Sequence, residues 1–209
     1  MTKNDLLIRR ETPEDYHQTE MLVREAFWNV YHPGCNEHYI LHCYRSKKDF
    51  IPELDLVLEK DGQLIGQIMY VHSEIKTDKG VMIPIVTFGP LSIHPNFSRR
   101  GYGKYLLDNS IKKAAALGAG AIAITGNPLF YGKSGFVAGK SRGIRYASDP
   151  EAEYFLIKEL KPDFLRDVKG TFMDPEGYLE PFRHPEAFER YDAQFPKKEK
   201  LVLPGQLGN

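Results

Sequence analysis

Between Ser98 and Lys104 the chain reads SRRGYGK, directly after an apolar stretch, GPLSIHP, and directly before a helical pattern. Two arginines, a lysine and two glycines at one strand-to-helix turn can hold phosphates. The first N–H groups of a helix lack intrahelical partners and carry the positive end of its dipole, so an anion there gains hydrogen bonds and favourable charge. Gly101 and Gly103 let the backbone come close, and Arg99, Arg100 and Lys104 add positive charge at the same place. A second capable stretch, GNPLFYGKSGF, runs from Gly126 to Phe136 and contains Tyr131, a phenol. It resembles a nucleotide P-loop only superficially. Five residues separate Gly126 from Gly132-Lys133-Ser134 where a P-loop has four, and Pro128 and two bulky aromatics stand where amides would have to surround phosphate.

These residues need elements to position them. Residues 5–10 read as a first strand, and Thr12 as the N-cap of a helix with Pro13 first and acids in the opening turn, running to about Trp28. A break at 31–36 precedes a short helix over 37–44. Residues 55–60 and 63–76 pair as a hairpin about Asp61-Gly62, a dipeptide that favours tight turns, and 81–93 continues the meander. The helix after Gly103 places Tyr105, Leu106, Ser110, Ala114 and Leu117 near one stripe and ends at Gly118. Residues 121–125 form a small, buried-type strand. A short helix follows Asn127-Pro128, and extended chain resumes from Phe136 through Tyr154 to Leu160. The pattern predicts a mixed α/β domain over 1–160. From Lys161 prolines interleave with aromatics and charges without a period. The aromatics there (Phe164, Phe172, Tyr178, Phe182, Phe188, Tyr191, Phe195) predict that 161–209 is an extension packed on the main domain.

Bulk composition narrows the function classes. Lys plus Arg and Asp plus Glu are 28 each, and a balanced chain lacks the electrostatic surplus of a general nucleic-acid binder. Cys35 and Cys43 make neither a disulfide scaffold nor a common zinc spacing. The N-terminus has no signal-peptide core, and no apolar run approaches a membrane span. A cytoplasmic protein with reduced thiols and no membrane partner is expected. His38 and His42 have helical ligand spacing, but without a nearby acidic third ligand of obvious placement no metal is expected.

The order GPLSIHPNFSRRGYGKYLL, then an alanine-rich strand, then GNPLFYGKSGF, resembles the GNAT superfamily of acyl-CoA-dependent N-acyltransferases, and within it the YhbS-like bacterial branch. The family's pyrophosphate motif, Gln/Arg-x-x-Gly-x-Gly/Ala, falls on Ser98, Arg99, Arg100, Gly101, Tyr102 and Gly103, with Ser98 in place of Gln or Arg. The second signature, Tyr followed four residues later by Gly-Phe, falls on Tyr131 and Gly135-Phe136, with Asn127 ahead of it. The resemblance covers roughly residues 5 to 160. It implies a mixed, mostly antiparallel sheet splayed between its fourth and fifth strands and flanked by helices. It also implies acetyl-CoA as cosubstrate, with pantetheine amides pairing to Leu91, Ser92 and Ile93 and the pyrophosphate on the N–H groups of 99–104. Asn127 is a further cofactor contact or a helix cap.

Amide formation from a thioester needs a route for the amine proton, a donor near the carbonyl and an acid near sulfur. Tyr131 is the acid expected here, since a phenol is mostly protonated at neutral pH and comparable to a thiol in acidity. A backbone N–H of the 91–93 strand polarises the carbonyl. Histone-type members carry a Glu on the fourth strand where this chain has Thr87, which takes up no proton. Glu74, with His72 on the same strand face, is the substitute base, and water is the other route. The expected activity is acetyl transfer to a primary amine of a small molecule or peptide. A non-catalytic acyl-CoA-binding sensor or regulatory module of the same fold is the alternative, favoured by Thr87 and opposed by Tyr131. Oligomeric state is left open, a homodimer included.

Overall fold

The hairpin about Asp61-Gly62 sets the register of the sheet. In a computed structural model that describes residues 6–206, Asp61 and Gly62 both take positive φ (52° and 76°), as a tight turn between right-twisted strands requires. The turn joins β2 (Leu56–Lys60) to β3 (Gln63–Thr77), which pair antiparallel from Lys60↔Gln63 to Leu56↔Ile68 with an irregularity at Leu58/Glu59. Two compact units make up the chain. One takes in the described residues up to 69, 90–106 and 176–206; the other takes in 70–89 and 107–175.

In the first unit β1 (Leu6–Arg10) pairs antiparallel with β2 from Leu6↔Lys60 to Arg10↔Leu56. Asp5, expected to open this strand, lies outside the described residues. The first helix, α1 (Tyr16–Phe27), begins later than Thr12 and Pro13 predict. The Asp15 carboxylate accepts from both the Thr12 N–H and hydroxyl (2.9 Å each) and from Arg9, so residues 12–15 fold into a side-chain-closed turn before the helix starts. Thr12 thus donates to Asp15 instead of capping. The Arg9 hydrogen bonds hold the Asp15 carboxyl down to about 2. The short helix α2 (Glu37–Tyr44) follows as expected. Leu22, Val57 and Leu64 form one small core of this unit, and Tyr39, Tyr191 and Phe195 another.

The second unit holds the parallel pairing. β4 (Met82–Ile93) meets β5 (Ala121–Thr125) in parallel at Val86↔Ile122 and Thr87↔Ala123, and that register stops there although β4 runs on to Ile93. Just beyond it stand Gly89, φ +154°, and Pro90, which has no N–H to give to a neighbouring strand. The second helix face comes from α3 (Tyr102–Ala116). Its buried stripe is Tyr102, Leu106, Leu107, Ser110, Ile111 and Ala114, whereas Tyr105 and Leu117 are exposed. Tyr105 lies about 100° round the helix from Leu106, and Leu117 falls past the last turn, so neither shares the stripe. Buried Ser110 is satisfied by donating to the Leu107 carbonyl (2.8 Å) and pairing with Tyr70 Oη (2.8 Å).

After β5 come α4 (Pro128–Tyr131), β6 (Val137–Ala138), β7 (Ile144–Tyr146), β8 (Phe155–Glu159) and β9 (Gly170–Phe172). The extended chain expected from Phe136 is therefore interrupted, by a tight turn over Gly139–Arg142 that ends on Gly143 at φ +76°. β5 pairs antiparallel with β8, β8 with β6, and β9 with β3; β7 and β9 are parallel. The predicted mixed, mostly antiparallel α/β sheet is thus present. Ile75, Ala123, Ile157, Phe155 and Phe172 centre its core.

Residues 161–206 divide between the units. Phe164 and Phe172 pack in the second unit's core. In the first, α5 (Glu180–Arg183) precedes α6 (Pro185–Asp192), which carries Phe188 and Tyr191 against Tyr39, and Tyr178 meets Tyr44 edge-on. Phe182 is exposed.

Candidate active site

The predicted phosphate turn lies wholly in the first unit. β4 ends at Ile93, and His94 continues the pairing by donating its N–H to the Ile65 carbonyl at 2.8 Å. Ser92 is buried, with its hydroxyl toward the Gln67 carbonyl (3.5 Å), while Leu91 and Ile93 are half-buried. Close approach of β3 is possible because residue 66 is glycine: a Cβ there would lie 2.6 Å from Ile93 Cδ1 and 3.2 Å from the Ser92 carbonyl oxygen. A short turn, Pro95–Phe97, then leads to Ser98, whose hydroxyl donates to the Pro95 carbonyl at 2.9 Å. That bond gives the family's Gln/Arg position a local structural job in this chain, closing the turn that feeds the helix.

Arg99 adopts φ +58° and Gly101 φ +86°, two left-handed residues on either side of Arg100. The chain thereby swings into α3, and the Gly101 carbonyl accepts from the Tyr105 N–H at 3.0 Å as the helix cap. Residues 98–101 are exposed, and nothing lies within 4 Å of the position a Gly101 Cβ would take. A helix start left open at Gly101, with Arg99 and Arg100 exposed beside it, is the kind of turn that accepts an anion. Tyr102 is buried and anchors the first turn; Gly103 and Lys104 are half-buried within it.

Tyr131, Asn127 and Glu74 belong to the second unit. Asn127 Oδ1 accepts from the Leu129 N–H at 2.8 Å, so this side chain serves as the cap of α4. Tyr131 ends α4 within an aromatic group, its ring 4.9 Å from Phe130, 5.8 Å from Phe88 and 5.9 Å from Phe136. The ring lies directly over Gly126, where any Cβ would collide with it. The following turn is pinned to α3 by Ser134 Oγ donating to Asp108 at 2.6 Å. Gly126 and Asp108 thus support the Tyr131 turn, Gly126 by leaving room for the ring and Asp108 by accepting from Ser134; a glycine closing a strand before an aromatic turn was the available signal for the first. Glu74 and His72 are exposed on one face of β3, and Thr87 is buried within the β4–β5 pairing. The P-loop look-alike is one turn of α4 and a tight turn, with no long helix behind it.

Among the described residues no group of three His, Cys, Asp or Glu side chains could hold a metal ion. His38 faces Cys35 and Asp192, while His42 pairs with Glu20, so the two histidines serve different partners. No helix of the described residues is long and apolar enough to cross a membrane.

Residues 53–138, which hold both signatures' strands, the turn and Tyr131, match the family described as the acetyltransferase (GNAT) domain. No curated protein matches the chain in sequence. Among solved structures the chain is similar to the GNAT family N-acetyltransferase YhbS from Escherichia coli in complex with CoA, at 24% identity and a TM-score of 0.72 over 83% of this chain and 92% of that one. It is also similar to a GNAT family acetyltransferase from Brucella melitensis in complex with acetyl-CoA, at 23% identity and TM-score 0.66 over 83% and 97%. A more distant likeness is Naa20 of Chaetomium thermophilum with a bisubstrate analogue, at 19% identity and TM-score 0.54 over 80% and 96%. At these identities the structures speak to the fold, which is that of the GNAT acetyltransferases, and residues 53–138 of the chain match that family's domain.

Proposed function

We propose that the chain transfers an acetyl group from acetyl-CoA directly to a primary amine of a small molecule or peptide, in the cytoplasm. The observation that carries this reading is the exposed turn at the start of α3, left-handed at Arg99 and Gly101 and open above Gly101. The cosubstrate, held by the N–H groups of 99–104 and by Leu91, Ser92 and Ile93, supplies the activated acyl thioester. An N–H of the 91–93 strand polarises the acyl carbonyl. Tyr131 Oη is assigned the proton that goes to the leaving sulfur, and the cage of Phe88, Phe130 and Phe136 fixes the phenol's direction. Glu74, exposed on β3, receives the amine proton directly or through water. Asn127 is a cofactor contact only through what its cap leaves free. The free thiols Cys35 and Cys43 support a reducing compartment.

The second reading, an acyl-CoA-binding sensor or regulatory module, is favoured by buried Thr87 at the position of the family's base. Thiol release from acetyl-CoA over an amine panel separates the two. Acceptor-dependent release, lost in Tyr131→Phe with acetyl-CoA binding retained, supports the enzyme. Binding of acetyl-CoA with no acceptor-dependent release across the panel supports the sensor.

A further inference from the structure

The second unit contains a cavity of about 220 Å³ whose wall carries two cations, Lys158 and Arg142, and one carboxylate, Glu159. Its floor is apolar: Val137, Ile157 and Leu165. Lys158 and Arg142 reach it from β8 and from the turn after β6. Neither cation makes an ion pair with any described residue. The acid beside them is already committed. Glu159 spends both carboxylate oxygens on its own loop, Oε1 on the Asp163 N–H at 3.1 Å and Oε2 on the Leu165 N–H at 2.7 Å. Gly135, at φ +83°, leaves the space that Lys158 Nζ uses, since a Cβ there would stand 2.7 Å from that nitrogen. Two cations beside an apolar floor, with the Glu159 carboxylate engaged by two backbone N–H groups, match an anionic head on a short apolar body.

We infer that this cavity binds a small organic anion, a phosphate monoester or a carboxylate, at a site separate from the cofactor turn. Lys158 and Arg142 take the anionic head and Val137, Ile157 and Leu165 the apolar body. The test is an amide-resolved NMR titration of the full chain, saturated with CoA so that residues 99–104 are occupied, using phenyl phosphate, benzoate and inorganic phosphate. Phenyl phosphate should shift the amides of Gly135, Val137 and Ile157 saturably and bind more tightly than inorganic phosphate. Lys158→Met and Arg142→Gln should each weaken it about tenfold, the loss of one charge-assisted hydrogen bond, with CoA affinity unchanged. Tighter binding of phenyl phosphate than benzoate would identify the head as a phosphate, and the reverse as a carboxylate. The inference is overturned if no saturable shift reaches these amides, if inorganic phosphate binds as well as phenyl phosphate, or if both variants bind as the wild type does.

Discussion

Asp192 holds a buried cation and a buried imidazole at once. Its carboxylate meets Arg24 Nε at 2.8 Å and lies 3.1 Å from His38 Nε2. The Arg24 side chain is 3% exposed and that of His38 is 0%. Asp192→Ala strands both. Breaking a buried pair from one side costs about 3–5 kcal/mol. Arg24 keeps the Pro196 carbonyl at 3.0 Å and the Trp28 ring at 4.1 Å, which argues for the lower end. At about 3 kcal/mol, and about 2–4 °C per kcal/mol for a chain of this length, the midpoint should fall by about 6–12 °C. Urea and thermal unfolding of the wild type, Asp192→Ala and Lys198→Ala check this. Lys198 pairs with Glu25 at 2.7 Å, but both are partly exposed, and its loss should cost about 0–1 kcal/mol. Acidification adds a sign. Burial pushes the Asp192 carboxyl up, but His38 and Arg24 outweigh it and hold it well below the ordinary carboxylate range. Burial likewise lowers His38. Both groups bind protons more readily when unfolded, so His38 withdraws stability as pH falls below about 6.5 and Asp192 as it falls below about 4. Equal, small losses in Asp192→Ala and Lys198→Ala would refute the argument that this carboxylate neutralises a buried cation.

Asp55 has the opposite sign. Burial, and then Glu11 beside it, push its carboxyl up to about 9, so its contribution is complete below about 4 and declines as pH rises toward 9. Asp55→Asn should therefore be more stable than the wild type in unfolding at pH 8, with the difference vanishing near pH 4. In steady-state acetyl transfer, Tyr131→Phe should lower kcat by about 10²–10⁴, the range for a general acid, with the acetyl-CoA dissociation constant unchanged. Gly101→Ala meets no neighbour, so its cost is left-handed strain alone. About 1–3 kcal/mol of strain should appear as lower stability or weaker CoA binding in calorimetry. Gly126→Ala should displace the Tyr131 ring and reproduce the Tyr131→Phe loss of kcat.

Local chemistry with one outcome was legible in the sequence. Asp61-Gly62 had to turn a hairpin, and SRRGYGK after an apolar run had to open a helix. The start of α1 was not legible, because Asp15 answers to Arg9 across a turn as well as to its own helix. Nor were the buried charges. Nothing along the chain marks Glu11, Glu20, Arg45 and Asp55 as buried, yet Arg45 donates to Glu11 Oε1 at 2.9 Å and Gln67 to Asp55 at 3.1 Å in the interior. The same holds for Arg24, His38 and Asp192, whose pairing spans 168 positions. At the candidate site the turn and Tyr131 were readable by motif. Two of their supports, Gly66 and Asp108, were not, because each matters only through a contact distant in sequence, with Ile93 and Ser134.

The proposed proton route follows from where these groups stand. Tyr131 packs its ring against three aromatic rings and over Gly126, so the ring is restrained and can serve one proton transfer with little reorganisation. Glu74 is exposed, and solvent screens whatever charge it carries. An acid held rigidly and a base open to water divide the reaction unequally. Precise placement is spent on the leaving sulfur, where the proton must arrive as the bond breaks, while the amine's proton can leave through solvent. On that division Glu74→Gln should lower the rate far less than Tyr131→Phe. A Glu74→Gln loss as large as that of Tyr131→Phe would mean that the amine proton passes through a fixed carboxylate.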